Sequence, residues 1–218
     1  MTRLNSDGTK DASFTCSTDD NVRAIAIQPD GKIFIAGEFS HVDKIEREGI
    51  ARLNTDGSLD TSFNPGSGTG GLNVFSIALQ SDGKILVGGN FTSFYGISRN
   101  KVARLNSDGS LDLAFDPGTG FSGSSNFVQT ILLQPDGRIL VGGDFTSYNG
   151  TTLNRFARLN SNGSLDSTFA SSFDGEVEAI AYQPDAKIIV GGLFTSHLAR
   201  LLNHFPISLF LPFISSRR

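Results

Sequence analysis

Tryptophan is absent from the 218 residues, and Cys16 is the only cysteine. A lone thiol excludes an intramolecular disulfide and any thiolate metal cage. An excess of either charge is also lacking, with 18 Lys and Arg against 22 Asp and Glu. The formal net charge of −4 provides no broad cationic field of the kind phosphate backbones select, so nucleic acid and anionic membranes are not expected partners. The three histidines, His41, His197 and His204, show no His-x-x-x-His spacing and share no common setting, which leaves a zinc site without support. The longest apolar stretch runs from Phe205 to Ile214 and contains Pro206 and Pro212. It is about half the ~20 residues a spanning helix needs, so membrane insertion is not expected. No signal-peptide pattern follows Met1. No glycine-rich loop opens a helix, so no phosphate cradle is expected, and no cofactor is indicated.

What the chain has is repetition. Arg-Leu-Asn recurs at Arg3, Arg52, Arg104 and Arg158, with spacings of 49, 52 and 54 residues. Gln-Pro/Ser-Asp-Gly-Lys/Arg begins at Gln28, Gln80 and Gln134, and returns at Gln183 with Ala186 in place of the glycine. Apolar runs then follow at Ile33–Phe39, Ile85–Phe91, Ile139–Phe145 and Ile188–Phe194. After each Arg-Leu-Asn, an Asp/Asn-Gly turn leads to Leu-Asp-x-x-Phe, ending at Phe63, Phe115 and Phe169. In the first copy Lys10 replaces the leucine.

Each unit reads as four short antiparallel strands. The first two, such as Val22–Gln28 and Lys32–Phe39, carry apolar residues at consecutive positions and are expected to be buried on both faces. The third, around Ile50–Asn54, and the fourth, around Leu59–Phe63, are shorter and read as outer strands. Gln28-Pro29-Asp30-Gly31 and Asn54-Thr55-Asp56-Gly57 both suit a type I turn closed by a glycine bulge. Ala186 is therefore expected in the left-handed region that the other copies give to glycine. A four-stranded unit cannot bury both faces alone, so the copies must stack. An all-β propeller of about four four-stranded blades is predicted.

These motifs, Gln-Pro-Asp-Gly-Lys-Ile, Gly-Gly-x-Phe-Thr and Ala-Arg-Leu-Asn-x-Asp-Gly-Ser-Leu-Asp-x-x-Phe, resemble the delta-60 repeat of bacterial β-propeller proteins over Arg3 to about Leu201. The resemblance implies propeller blades and an extracellular or cell-surface setting in a bacterium, and it implies no particular activity. The pattern breaks at the end. From the phenylalanine to the next Arg-Leu there are 13 residues in three copies but only 6 between Phe194 and Arg200. Residues 1–201 are thus expected to form the repeat domain, and 202–218 a divergent apolar tail. The half-unit Arg3–Phe14 would complete a blade with Val177–Phe194 in a closed four-bladed ring; otherwise the chain is part of a larger propeller.

The tight turns are expected at one end of the blades and the variable connections at the other. These connections include His41–Glu48, Ser93–Lys101 and Ser147–Arg155, and the interblade stretches Asn64–Asn73 and Asp116–Asn126. Binding residues concentrate in such loops. Phe94, Tyr95, Arg99, Tyr148 and Asn149 are the candidates for contacting a protein or glycan partner, unless they only cover blade edges. Asp43, Glu46 and Glu48 would serve a glycan-acting hydrolase or lyase, although Lys44 and Arg47 interleave with them and favour a solvated loop. The Asp-Gly segments do not match the EF-hand loop, because their glycine stands fourth instead of sixth. The recurrent arginine is expected to pair with Asp60, Asp112 and Asp166 rather than to bind anions. The expected function is a non-catalytic binding module, with a glycan-acting enzyme or a structural scaffold as the alternatives.

Overall fold

The computed structural model describes residues 1–66, 73–123, 125 and 127–199. The tail 202–218, Arg200 and Leu201 lie outside the described residues, as does part of each interblade stretch. The described chain is all-β, and no helix in it is long and apolar enough to cross a membrane.

Three units have the same build. Their first, second and third strands are Val22–Ile27, Ile33–Gly37 and Ile50–Leu53 in unit 1; Asn73–Leu79, Ile85–Asn90 and Val102–Leu105 in unit 2; Phe127–Leu133, Ile139–Asp144 and Phe156–Leu159 in unit 3. Each forms an antiparallel sheet with the second strand in the middle. Unit 4 contributes Val177–Tyr182 and Ile188–Gly192 as a two-stranded sheet. Every first strand carries a bulge near its start, at Arg23, Phe75, Gln129 and Glu178. The first strands of successive units lie side by side, and the neighbouring sheets bury apolar clusters between them.

Both tight turns behave as the sequence implies. Gln28 N–H donates to the Lys32 carbonyl and Gly31 N–H to the Gln28 carbonyl, and Gly31 has φ +84°. Ala186 occupies the same place at φ +66°. The recurrent arginines pair as expected: Arg52 Nε lies 2.7 Å from Asp60, Arg104 Nε 2.7 Å from Asp112 and Arg158 Nε 2.8 Å from Asp166.

Four expectations are corrected. The fourth strand shrinks to a single bridge in each unit, Leu53↔Leu59, Leu105↔Leu111 and Leu159↔Leu165. The aspartate that follows turns the chain at once: Ser62 N–H donates to the Asp60 carboxylate and Phe63 N–H to its carbonyl. The third strand is the outer one of each three-stranded sheet, as expected, but in units 1 and 2 it is wholly buried instead of polar, because the Phe-terminated turn of the preceding unit and the variable hairpins cover it. The first strand of unit 1, in contrast, is only half buried. Finally, Arg3–Phe14 does not join Val177–Phe194. Phe14 packs with Ile35 and Phe39 of unit 1, and the Arg3 guanidinium donates to the Thr55 carbonyl. Among the described residues the first strands of units 4 and 1 do not pack side by side as those of successive units do.

Candidate functional site

The variable connections are small hairpins: His41–Val42 with Ile45–Glu46, Ser93–Phe94 with Ile97–Ser98, and Ser147–Tyr148 with Thr151–Thr152. Each turn has two left-handed residues, Asp43-Lys44, Tyr95-Gly96 and Asn149-Gly150, the geometry that matches strand twist in two-residue hairpins. The Asn149-Gly150 pair carried that signal in the sequence.

This geometry decides the fate of the five candidate residues. Phe94 is fully buried against Phe91, and Tyr148 is buried with its hydroxyl donating to the Gly163 carbonyl. Burial raises the Tyr148 pKa well above the ordinary phenol value. Arg99 is 8% exposed and donates to the Ser98 carbonyl. Phe94 and Tyr148 face inward, because alternation along each two-residue strand sends the ring to the core, and Arg99, just past Ile97–Ser98, is buried as well; burial of all three does not fit the expected contact with a partner. Tyr95 and Asn149 sit at hairpin tips, and both are engaged with the connector that arrives from the preceding unit. The Tyr95 hydroxyl donates to the Asn64 carbonyl at 2.8 Å, and the Asn149 side chain accepts from Thr119 N–H at 3.2 Å. Both therefore serve as props.

The acidic residues of the first hairpin also separate. The Asp43 carboxylate accepts from Ser17 N–H, while Glu46 is exposed and pairs through its backbone with His41. Nearby, Asp19 accepts from the Ser40 hydroxyl at 2.6 Å and lies 2.9 Å from His41 Nδ1. Ser40 reaches the same ring nitrogen, at 3.0 Å, so the histidine is not interposed as a proton relay between serine and aspartate. Asp174 accepts the same pattern from Thr195 and Ser196 in unit 4, which marks a repeated structural brace.

A different place has the character of a site. The bulged position of the first strand is filled by Arg23, Phe75, Gln129 and Glu178, four unlike side chains in an otherwise constant repeat. It lies at the end of the blades away from the tight turns, on the edge strands that neighbour one another. Arg23, Phe75 and Gln129, together with Glu38, Asn90 and Phe127, line a cleft of about 420 Å³. Phe75 and Phe127 meet edge to face, with centroids 6.0 Å apart, and both are half-buried. The bulge turns Arg23, Phe75 and Gln129 out of the sheet alternation toward the cleft.

The polar groups around the aromatic pair are held in place. The Glu38 carboxylate accepts from Asn21 Nδ2 at 3.0 Å and from Arg23 Nη2 at 2.7 Å. These bonds, from Asn21 first and then Arg23, lower the Glu38 pKa from its ordinary value. Asn90 Oδ1 accepts from Lys101 Nζ at 3.0 Å, and Lys101 is 5% exposed. Burial pushes the Lys101 pKa down. Among the described residues no three carboxylate, histidine or cysteine groups converge as metal ligands do.

Residues 1–14, 28–63, 80–115 and 134–169 match the family described as domain of unknown function (DUF5122) beta-propeller. The chain belongs to this β-propeller family. The matched segments hold the tight turns, the second and third strands and the Arg–Asp turn of units 1 to 3, and none of unit 4. They omit the first strands, which carry the bulged row and both phenylalanines of the cleft. Of the residues lining the cleft, Arg23, Phe75, Phe127 and Gln129 lie outside the matched segments and Glu38 and Asn90 inside them. One solved structure, from work on PorZ, an essential bacterial surface component of the type-IX secretion system of Porphyromonas gingivalis, aligns with 75% of this chain at 10% identity and a TM-score of 0.38. The chain spans 23% of that protein, and at this score the likeness carries no argument. No curated protein matches the chain.

Proposed function

We propose that the chain is a non-catalytic binding module of the delta-60 type, working outside a bacterial cell, and that it holds a carbohydrate in the cleft between Arg23 and Gln129. The observation that carries this reading is the half-buried Phe75–Phe127 pair, bordered by planar polar side chains at a repeat position whose residues differ from unit to unit. Ring faces cover the apolar face of a sugar, while Glu38, Asn90, Gln129 and Arg23 offer paired donors and acceptors to its hydroxyls. The volume suits one or two sugar rings. The extracellular setting rests on the resemblance to delta-60 repeats.

The test is a screen of immobilised oligosaccharides and extended peptides against the intact chain and a Phe75→Ala/Phe127→Ala variant. Carbohydrate binding that the double variant loses supports the proposal. Peptide binding lost in the same way moves the ligand class to protein, and binding indifferent to both phenylalanines removes the cleft from the function. Turnover of a bound oligosaccharide would replace the module with a glycan-acting enzyme.

A further inference from the structure

We infer that the sugar held between Arg23 and Gln129 is a uronic acid, its carboxylate accepting from the Asn90 amide and balancing the Lys101 ammonium behind it. The inference rests on the carbohydrate reading of this cleft and names the class of sugar. Lys101 is 5% exposed, and its Nζ has one hydrogen-bond partner among the described residues, Asn90 Oδ1 at 3.0 Å. Burial alone lowers its pKa, with no carboxylate acting the other way. Residues 67–72, 124, 126 and 200–218, outside the described ones, include no aspartate or glutamate. A buried ammonium without a countercharge is costly, and a ligand anion would offset that cost.

The missing charge is particular to unit 2. The position after Gly37, Gly89 and Gly143 holds Glu38, Asn90 and Asp144. The carbonyls that accept from those three glycine N–H groups belong to Gly49, Lys101 and Arg155. These have φ +72°, +70° and +65°, so like positions are being compared. Unit 3 has both charges, and Arg155 Nε lies 2.6 Å from Asp144. Unit 1 has glycine in place of the cation, and its Glu38 is held instead by Arg23 at 2.7 Å. Unit 2 keeps the cation and puts an amide where the carboxylate stands.

Lys101 also sets which way the Asn90 amide points. An ammonium only donates, so Oδ1 faces Lys101 and Nδ2 is left for the cleft that Asn90 lines. Among the described residues Nδ2 has no acceptor. Arg23 lines the same cleft, and its Nη1 is likewise free among the described residues, Nε and Nη2 being taken by Glu38. Glu38 is the only carboxylate among the described residues lining the cleft, and it is occupied by Asn21 and Arg23. The cleft thus offers free donors backed by an unbalanced positive charge, in a chain whose net charge is −4. A neutral sugar would use the donors alone, whereas a carboxylate uses donors and charge together.

The test measures the affinity of the intact chain for short oligomers of galacturonic, glucuronic and mannuronic acid, each beside its neutral, carboxyl-reduced counterpart. The best-bound acidic oligomer should exceed its reduced form about tenfold in affinity, and Lys101→Met should bring that ratio to about twofold or below. Lys101→Arg should keep the preference. Asn90→Asp should abolish it while raising the melting temperature, because it rebuilds in unit 2 the pair that unit 3 has; it carries the test if Lys101→Met fails to fold. Equal affinity of the intact chain for acidic and reduced forms overturns the inference, and if that binding depends on Phe75 and Phe127 the carbohydrate reading still stands. A preference for the acid that survives Asn90→Asp also overturns it. Binding of neither form overturns the inference together with the reading on which it rests.

Discussion

Arg104 and Ser161 lie 57 residues apart, yet the guanidinium Nη1 of Arg104 donates to the Ser161 carbonyl at 2.6 Å while its Nε holds Asp112. One side chain thus closes its own turn and grips the turn of the next unit. Arg104 also lies over the Phe115 ring, 5.0 Å from its centroid. Arg52 repeats the arrangement with Asp60, Ser107 and Phe63. The repeat period therefore carries a clasp between blades as well as the blades themselves.

Asp112→Asn should destabilise the fold by about 3–5 kcal/mol, because Arg104 and Lys84 would then be left without their buried countercharge. Urea unfolding measures it. A change below about 1 kcal/mol would mean that the pair contributes no more than an exposed ion pair.

Acid should weaken the protein at the same aspartates. Burial pushes the Asp60 carboxyl up, but bonds from Lys32, Ser62 and Arg52 outweigh it and hold it well below the usual carboxylate range. Asp112 and Asp166 are lowered as well, again against the effect of burial. In the unfolded chain they titrate near about 3.9. Where the unfolded state binds more protons, stability rises with pH. The contribution is therefore present above about pH 4 and lost as pH falls below it. Melting temperature should fall steeply below about pH 4 and less steeply in Asp60→Asn.

Ala186→Gly should stabilise the protein by about 1 kcal/mol, since the alanine stands at φ +66° where every other copy has glycine. Thermal unfolding decides. A lower melting temperature would contradict the turn geometry.

Phe94 and Phe75 should separate the core from the cleft. Phe94→Ala empties a fully buried site and should cost about 3–5 kcal/mol. Phe75→Ala should lose much less stability and affect ligand capture instead. Equal losses would place Phe75 in the core.

The repeat, the turns and the Arg–Asp pairs were legible in the sequence because each is a local pattern with one physical solution. Ala186 shows how far that reaches, since its backbone angle follows from the glycines at equivalent positions. The fourth strand misled because Leu-Asp reads as the start of a strand, yet the Asp60 side chain captures Ser62 N–H and ends it. Phe94 and Tyr148 misled because variable loops suggest ligand contacts, whereas two-residue hairpins turn those rings inward. The row Arg23, Phe75, Gln129 and Glu178 was open to reading as the position where the repeat changes chemistry. It was masked by the apolar residues around it, which suggested burial on both faces, and the bulge that turns the row outward has no sequence mark.

The most direct measurement is an amide chemical-shift titration of the labelled chain with an oligosaccharide retained in the screen. The account predicts shifts concentrated at Arg23, Phe75, Asn90, Phe127 and Gln129, with the tight turns at Gly31, Gly83 and Gly137 unmoved. Shifts centred on those turns, with the cleft silent, would contradict it.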